Sequence, residues 1–177
     1  MLQMPVMTEN FVAAAFAQEI RDEYKATKKC LERIPDSLYS YKPHPRSMEM
    51  GYLTLLVAEI PLWIYLTIKT GEIDFATYQH FQLSTNDRML EHFEDSYQKA
   101  LDILQTTTAD EMEQTFSLKQ DGKLLFSSSK KNSIGSSINH WVHHRGQLTV
   151  YMRMNDIPVP SIYGPSADEN EYSAPGT

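Results

Sequence analysis

A single cysteine, Cys30, stands among the 177 residues. One thiol excludes an intramolecular disulfide framework and fits a reducing compartment. With no histidine near it in sequence, it reads as a helix residue and not as a nucleophile. Nowhere do eighteen apolar residues run together, so no membrane span is expected. Met1 to Met7 are apolar but lack a basic segment, and Glu9, Glu19 and Arg21 break any longer run, which argues against a signal peptide. Positive charge is also in short supply: 16 Lys and Arg against 23 Asp and Glu leave a net charge of -7. Without a basic stripe such a surface repels phosphate backbones. The expectation is a cytoplasmic protein with no nucleic-acid and no membrane partner.

What is present is ordinary globular usage, 41% hydrophobic and 22% charged, which excludes wholesale disorder. The length suits one domain, residues 1–169, followed by a tail, 170–177, that should fray. From Thr8 to about Arg33, Val12, Phe16, Ile20, Tyr24 and Leu31 recur at helical spacing behind a Thr8 cap. Ile34-Pro35-Asp36 ends that helix, and Leu38 to Arg46 reads as an extended aromatic and proline loop. Ser47 is the expected cap of a second helix to about Lys69, with Leu53, Leu56, Ile60, Trp63 and Thr67 on one stripe. Pro61 inside it should bend the helix near Val57. Glu72 to Ser84 reads as a loop with short helical turns, and a third helix runs from Thr85 or Asn86 to about Thr106.

Between Met112 and Ser127 the period changes to alternation: Phe116 and Leu118, the turn pair Asp121-Gly122, then Leu124 and Phe126. This predicts a small β-hairpin inserted before the last helix. Ser133 is the expected cap of that helix, which runs to about Met154. The fold class is therefore all-α, a four-helix bundle. Its Pro-rich C-terminal tail, from Ile157 to Pro165, should pack on the body, with Ile162 and Tyr163 giving it something to bury.

The last helix carries His140-Trp141-Val142-His143-His144-Arg145-Gly146-Gln147. Three of six histidines fall inside five residues. Residues four apart share a helix face, so His140 and His144 can aim two imidazole nitrogens at one point, beside Gln147 and Tyr151. His143 projects elsewhere. Arg145 lies toward the core and needs a carboxylate partner, for which Asp168 and Glu169 of the tail are candidates, a solvated pair being the alternative. Gly146 would permit close helix approach.

These residues resemble the DinB-like family. The resemblance rests on Lys42-Pro43-His44, on Val57-Ala58-Glu59-Ile60-Pro61 with Trp63, on His143 to Leu148, and on Pro158-Val159-Pro160 through Tyr163 to Glu169. It implies a four-helix bundle that holds a divalent metal through three histidines, commonly as a homodimer. Two of those ligands would be His140 and His144. The third family position is Leu56 here, which offers no lone pair. Glu59, one turn away, or His44, in the preceding loop, could substitute; the plainer reading has Glu59 in a local ion pair and His44 packed on its prolines. Tyr52, Leu56, Glu59, Trp63, Gln147 and Tyr151 are the expected cleft lining. Nickel or zinc would suit two imidazoles, with water or a thiolate in the open positions. Two functions are then expected. One is a ligand-binding or stress-associated protein with a small-molecule cleft and an incomplete, two-histidine metal site. The other is a metal-dependent enzyme, a thiol transferase or hydrolase using a low-molecular-weight thiol.

Overall fold

The first helix begins where Asn10 accepts the Ala13 amide into its side chain, and α1 spans Phe11–Glu32. A computed structural model describes residues 10–170. The Thr8 cap and the fraying of 171–177 lie outside the described residues, and Asn10 is the cap of α1. A 3-10 turn, Asp36–Leu38, occupies part of the stretch read as an extended loop. Helix α2 is Met50–Lys69, later than a Ser47 cap would place it. Backbone carbonyls start it: Tyr41 and Tyr39 accept the Met50 and Gly51 amides, each at 2.9 Å, so two free helix-end donors need no side-chain cap.

The Thr85 side chain caps α3, Asn86–Thr106. A Thr108/Glu111 capping box opens a short α4, Ala109–Glu113. Helix α5 is Lys130–Met154, with Ser129 as its cap in place of Ser133. It starts a turn early because the preceding strand runs straight into it.

The hairpin is β2, Thr115–Gln120, and β3, Lys123–Ser129. Asp121 and Gly122 both take positive φ, 51° and 72°, as a two-residue primed turn requires. A strand not expected from the sequence, β1 (Glu72–Asp74), pairs parallel with β2, so the sheet order is β1-β2-β3. At its first three residues this corrects the reading of Glu72 to Ser84 as loop with helical turns; 75–84 is loop, opening on a turn in which the Tyr78 amide donates to the Asp74 carbonyl at 2.8 Å. Asp74 ties the two parts together: its carboxylate accepts the Asp121 and Gly122 amides at 2.9 and 2.7 Å.

In the bundle, α1 and α2 are diagonal, and each packs against α3 and α5. Contacts fix the directions. Trp63 meets His140 while Met48 meets Tyr151, so α2 and α5 are antiparallel. Leu31 meets Asn86 while Asn10 meets Thr107, so α1 and α3 are antiparallel. The start of α2 at Gly51 lies against Leu83, just before α3, and Glu59 lies beside His92, so α2 and α3 are parallel. A parallel pair needs a connection that returns along the bundle, which accounts for the long segment between Lys69 and Asn86. By length and composition α2 could cross a membrane, but 72% of its most apolar stretch is buried inside the bundle.

Pro61 does not interrupt α2. The carbonyl it leaves without an amide donor, that of Val57, accepts the Trp141 indole N–H at 2.8 Å. The defect in α2 is thus matched by a side chain of α5 one position from His140.

Candidate functional site

His140 and His144 lie one turn apart on α5, and their Nε2 atoms meet at 2.6 Å. On its other side His144 contacts Gln147 Oε1 through Nδ1 at 2.8 Å. With Gln147 accepting, His144 Nδ1 carries the proton, its Nε2 is a bare lone pair, and His140 Nε2–H donates to it. Both rings favour the neutral form. For His140 the causes are burial first, then the neighbouring His144 and His143; for His144 burial dominates, with Gln147 opposing it.

Whether this pair fits a metal turns on donors and spacing. Two imidazoles on one tetrahedral zinc stand about 3.3 Å apart at Nε2, given Zn–N bonds near 2.05 Å. The observed pair would therefore open by roughly 0.7 Å and shift one proton to bind an ion. The third donor is the harder requirement. The antiparallel register puts Leu56 at the level of His144, and its side chain is only 6% exposed. Among the described residues no three His, Cys, Asp or Glu side chains are grouped to hold an ion. The residues present do not fit a three-histidine centre.

The two proposed substitutes are engaged elsewhere. Glu59, 0% exposed, accepts the Phe81 amide at 3.0 Å, contacts His80 Nδ1 at 2.9 Å and faces His92 Nε2 at 3.6 Å. Burial pushes its carboxyl up, but His92, the Phe81 amide and His80 together outweigh this and hold it below the usual range. His44 is exposed in its loop, with Nδ1 accepting the Arg46 amide at 3.1 Å. His80 and His92 are the residues that sequence reasoning missed. The available signal was Glu59 itself, since a carboxylate on a core helix demands partners.

The expected cleft residues divide between places. Trp63 lies 5.7 Å from the His140 ring, tilted by 43°, and donates its indole N–H to Tyr78 at 2.9 Å. Gln147 and Tyr151 border a recess of about 360 Å³ with Arg46 and Met48. Tyr52 is 47% exposed on the surface of α2. A pocket of about 260 Å³ lies between the sheet and the α2–α5 pair, and His140 is at its edge.

Arg145, 2% exposed, does find a carboxylate, but it is Glu23 of α1. Its guanidinium also donates to Thr27 at 3.1 Å and to the Tyr163 oxygen at 2.7 Å, and Tyr163 donates to Glu23 at 2.9 Å. Asp168 pairs instead with Arg153, and Glu169 with Arg33 and Lys29. Gly146 lies in open space, and Gly51 is the close-approach glycine: a Cβ there would meet Tyr39 Cβ at 2.9 Å. Cys30 is buried in α1 with its thiol pushed up to about 11, chiefly by burial.

Together these features define a helical bundle with a parallel α2–α3 pair, a small sheet before the last helix and paired histidines on that helix. The chain belongs to the DinB family, whose model matches residues 4–175. A DinB-like protein from Bacillus subtilis is 21% identical, with a TM-score of 0.64 over 84% of this chain and 97% of that one. One from Bacillus cereus ATCC 10987 is 20% identical, with a TM-score of 0.63 over 85% and 97%. A member from Exiguobacterium sibiricum 255-15 is 15% identical, with a TM-score of 0.65 over 85% and 95%. At these identities the likeness is one of fold. The Bacillus subtilis protein YrdA is 56% identical over 32 residues, 18% of this chain and 19% of that protein.

Proposed function

We propose that this DinB-family chain binds a small molecule in the pocket beside His140, the outer member of the His140–His144 pair, and that metal chemistry through three histidines is lost with Leu56. The observation that carries the reading is the direct Nε2 to Nε2 contact of 2.6 Å, with a leucine level with His144. Two neutral imidazoles in contact make one hydrogen-bonding end for a ligand. They supply too few donors for a stable catalytic ion, which generally takes three protein ligands. A reducing, cytoplasmic setting and a homodimer belong to the same reading, supported by the lone cysteine and by family habit respectively.

Convergence of the two Nε2 atoms favours a second reading, a divalent-metal enzyme acting on a thiol with nickel or zinc. Elemental analysis separates the two. Untagged wild-type protein, loaded with nickel or zinc and dialysed, is expected to retain well under one equivalent, and Leu56→His to retain a full one. Stoichiometric metal in the wild type overturns the proposal in favour of the enzyme. Failure of Leu56→His to load would show that position 56 does not face the histidines.

A further inference from the structure

The pocket of about 260 Å³ beside His140 is walled by two kinds of surface. The sheet side is apolar: Phe116, Leu118 and Phe126 of the hairpin, and Ile73 of β1. Trp63 from α2 and Phe75, just past β1, continue that wall. The opposite wall is one stripe of α5: Ser133, Ser136, Ser137 and His140 share a face at helical spacing. No Lys, Arg, Asp or Glu lines it.

Three features say what such a pocket takes. Its volume lies near the lower end of small-molecule sites, about 300 Å³, too small for a peptide segment with several side chains. Its lack of lining charge would leave an ionic group without a partner, which disfavours charged occupants. Its hydroxyls are not all used. Ser133 bonds Ser128 Oγ at 2.6 Å and Ser136 is exposed, whereas the half-buried Ser137 hydroxyl has no side-chain partner among the described residues. Phe75 and Phe126 stay 41% and 49% exposed at the rim, apolar area that an occupant would cover.

The geometry points to a binding site for an uncharged molecule with an apolar chain or ring and one hydroxyl end. The apolar part lies on Phe116, Leu118 and Phe126, and the polar end meets Ser137 and His140. The inference rests on the reading of this cleft as a small-molecule site and names its ligand class. The hairpin becomes the specificity element: it supplies the sheet-side wall, and α5 supplies the end group's partners.

The probe is octan-1-ol, with octanoate as its charged counterpart, titrated at pH 8 with EDTA present and followed by tryptophan emission. Trp63 lines the pocket and Trp141 is sealed in the core, so the signal reports the pocket. Octan-1-ol should give a saturable shift, and octanoate should bind at least about tenfold more weakly. Ser137→Phe fills the space and should abolish the shift while melting no lower than wild type. Equal binding of alcohol and carboxylate, or undiminished binding by folded Ser137→Phe, overturns the proposal. So does a wild-type dimer that Phe126→Ser dissociates while neither protein binds octan-1-ol, since the rim would then be an interface between copies. EDTA makes the result independent of metal: octanol binding with a metal-loading wild type would sink only the half-site reading. No octanol binding with a metal-free wild type would sink only this one.

Discussion

Arg145 follows His144 directly, yet its work is on the opposite side of α5. Its guanidinium is enclosed by Glu23, Thr27 and Tyr163, and the Tyr163 ring lies under it at 5.4 Å. Burial and then the Glu23 hydrogen bond push the Tyr163 hydroxyl up, so it stays a proton donor. A buried ion pair of this kind contributes little net stability, but each half is costly alone. Arg145→Met should therefore destabilise the protein by about 3–5 kcal/mol in urea unfolding, through the stranded Glu23 carboxylate. The double variant Glu23→Gln/Arg145→Met should recover most of that loss. If the double variant is as unstable as the single one, packing of the arginine stem, and not charge, is what matters.

At the scale of elements, two helical glycines, Gly51 in the first turn of α2 and Gly146 inside α5, should respond oppositely to alanine. Gly146 faces open space, so Gly146→Ala should stabilise by about 0.5–1 kcal/mol through helix propensity. Gly51 touches Tyr39 and Leu83, so Gly51→Ala should cost about 1–3 kcal/mol as the 3-10 turn is displaced. Thermal melts of the two variants check both signs. The sequence alone pointed to the wrong glycine, because helix periodicity says which face a residue takes and not how near the neighbour comes. Features with local chemistry were legible: Asp121-Gly122 demanded a primed turn, and period-four histidines demanded a shared face. Features closed by distant residues were not. The register of β1 is set by β2, some forty residues on, and three residues carry too little pattern to reveal it. The Trp141 bond to Val57, and the His80 and His92 partners of Glu59, join elements whose packing only the fold supplies. In the candidate site, the pair was readable and its surroundings were not.

Over the whole molecule, the C-terminal tail is a strap across the ends of α1 and α5. Arg33 donates to the Pro158 carbonyl at 2.9 Å, and the Ser161 hydroxyl donates to the Glu169 carbonyl at 2.8 Å. The side chains of Arg33 and Lys29 both reach Glu169. Ile157, Pro160 and Ser161 are buried, whereas Tyr163 remains 69% exposed and is held by its hydroxyl. The strap thus docks through polar anchors as much as through apolar ones, and those anchors titrate. Arg33 foremost, against a smaller opposing effect of desolvation, brings the Glu169 carboxyl down to about 2 from the ordinary 4.5. Arg153 likewise holds Asp168 below its usual range. A depressed carboxylate contributes stability that is fully present above pH 4.5 and is lost as pH falls toward 2. Glu169→Gln should accordingly be less stable than wild type at pH 7, by about 1 kcal/mol once solvent screening is allowed for. The gap should close as the pH is lowered through that window. Amide exchange of residues 157–169, compared between wild type and variant at pH 6 and at about pH 2.5, reads the strap directly. Faster exchange in the variant at the higher pH, with most of the difference gone at the lower, is the expected result. A gap that persists unchanged at the lower pH would mean that the carboxylate charge does not hold the strap.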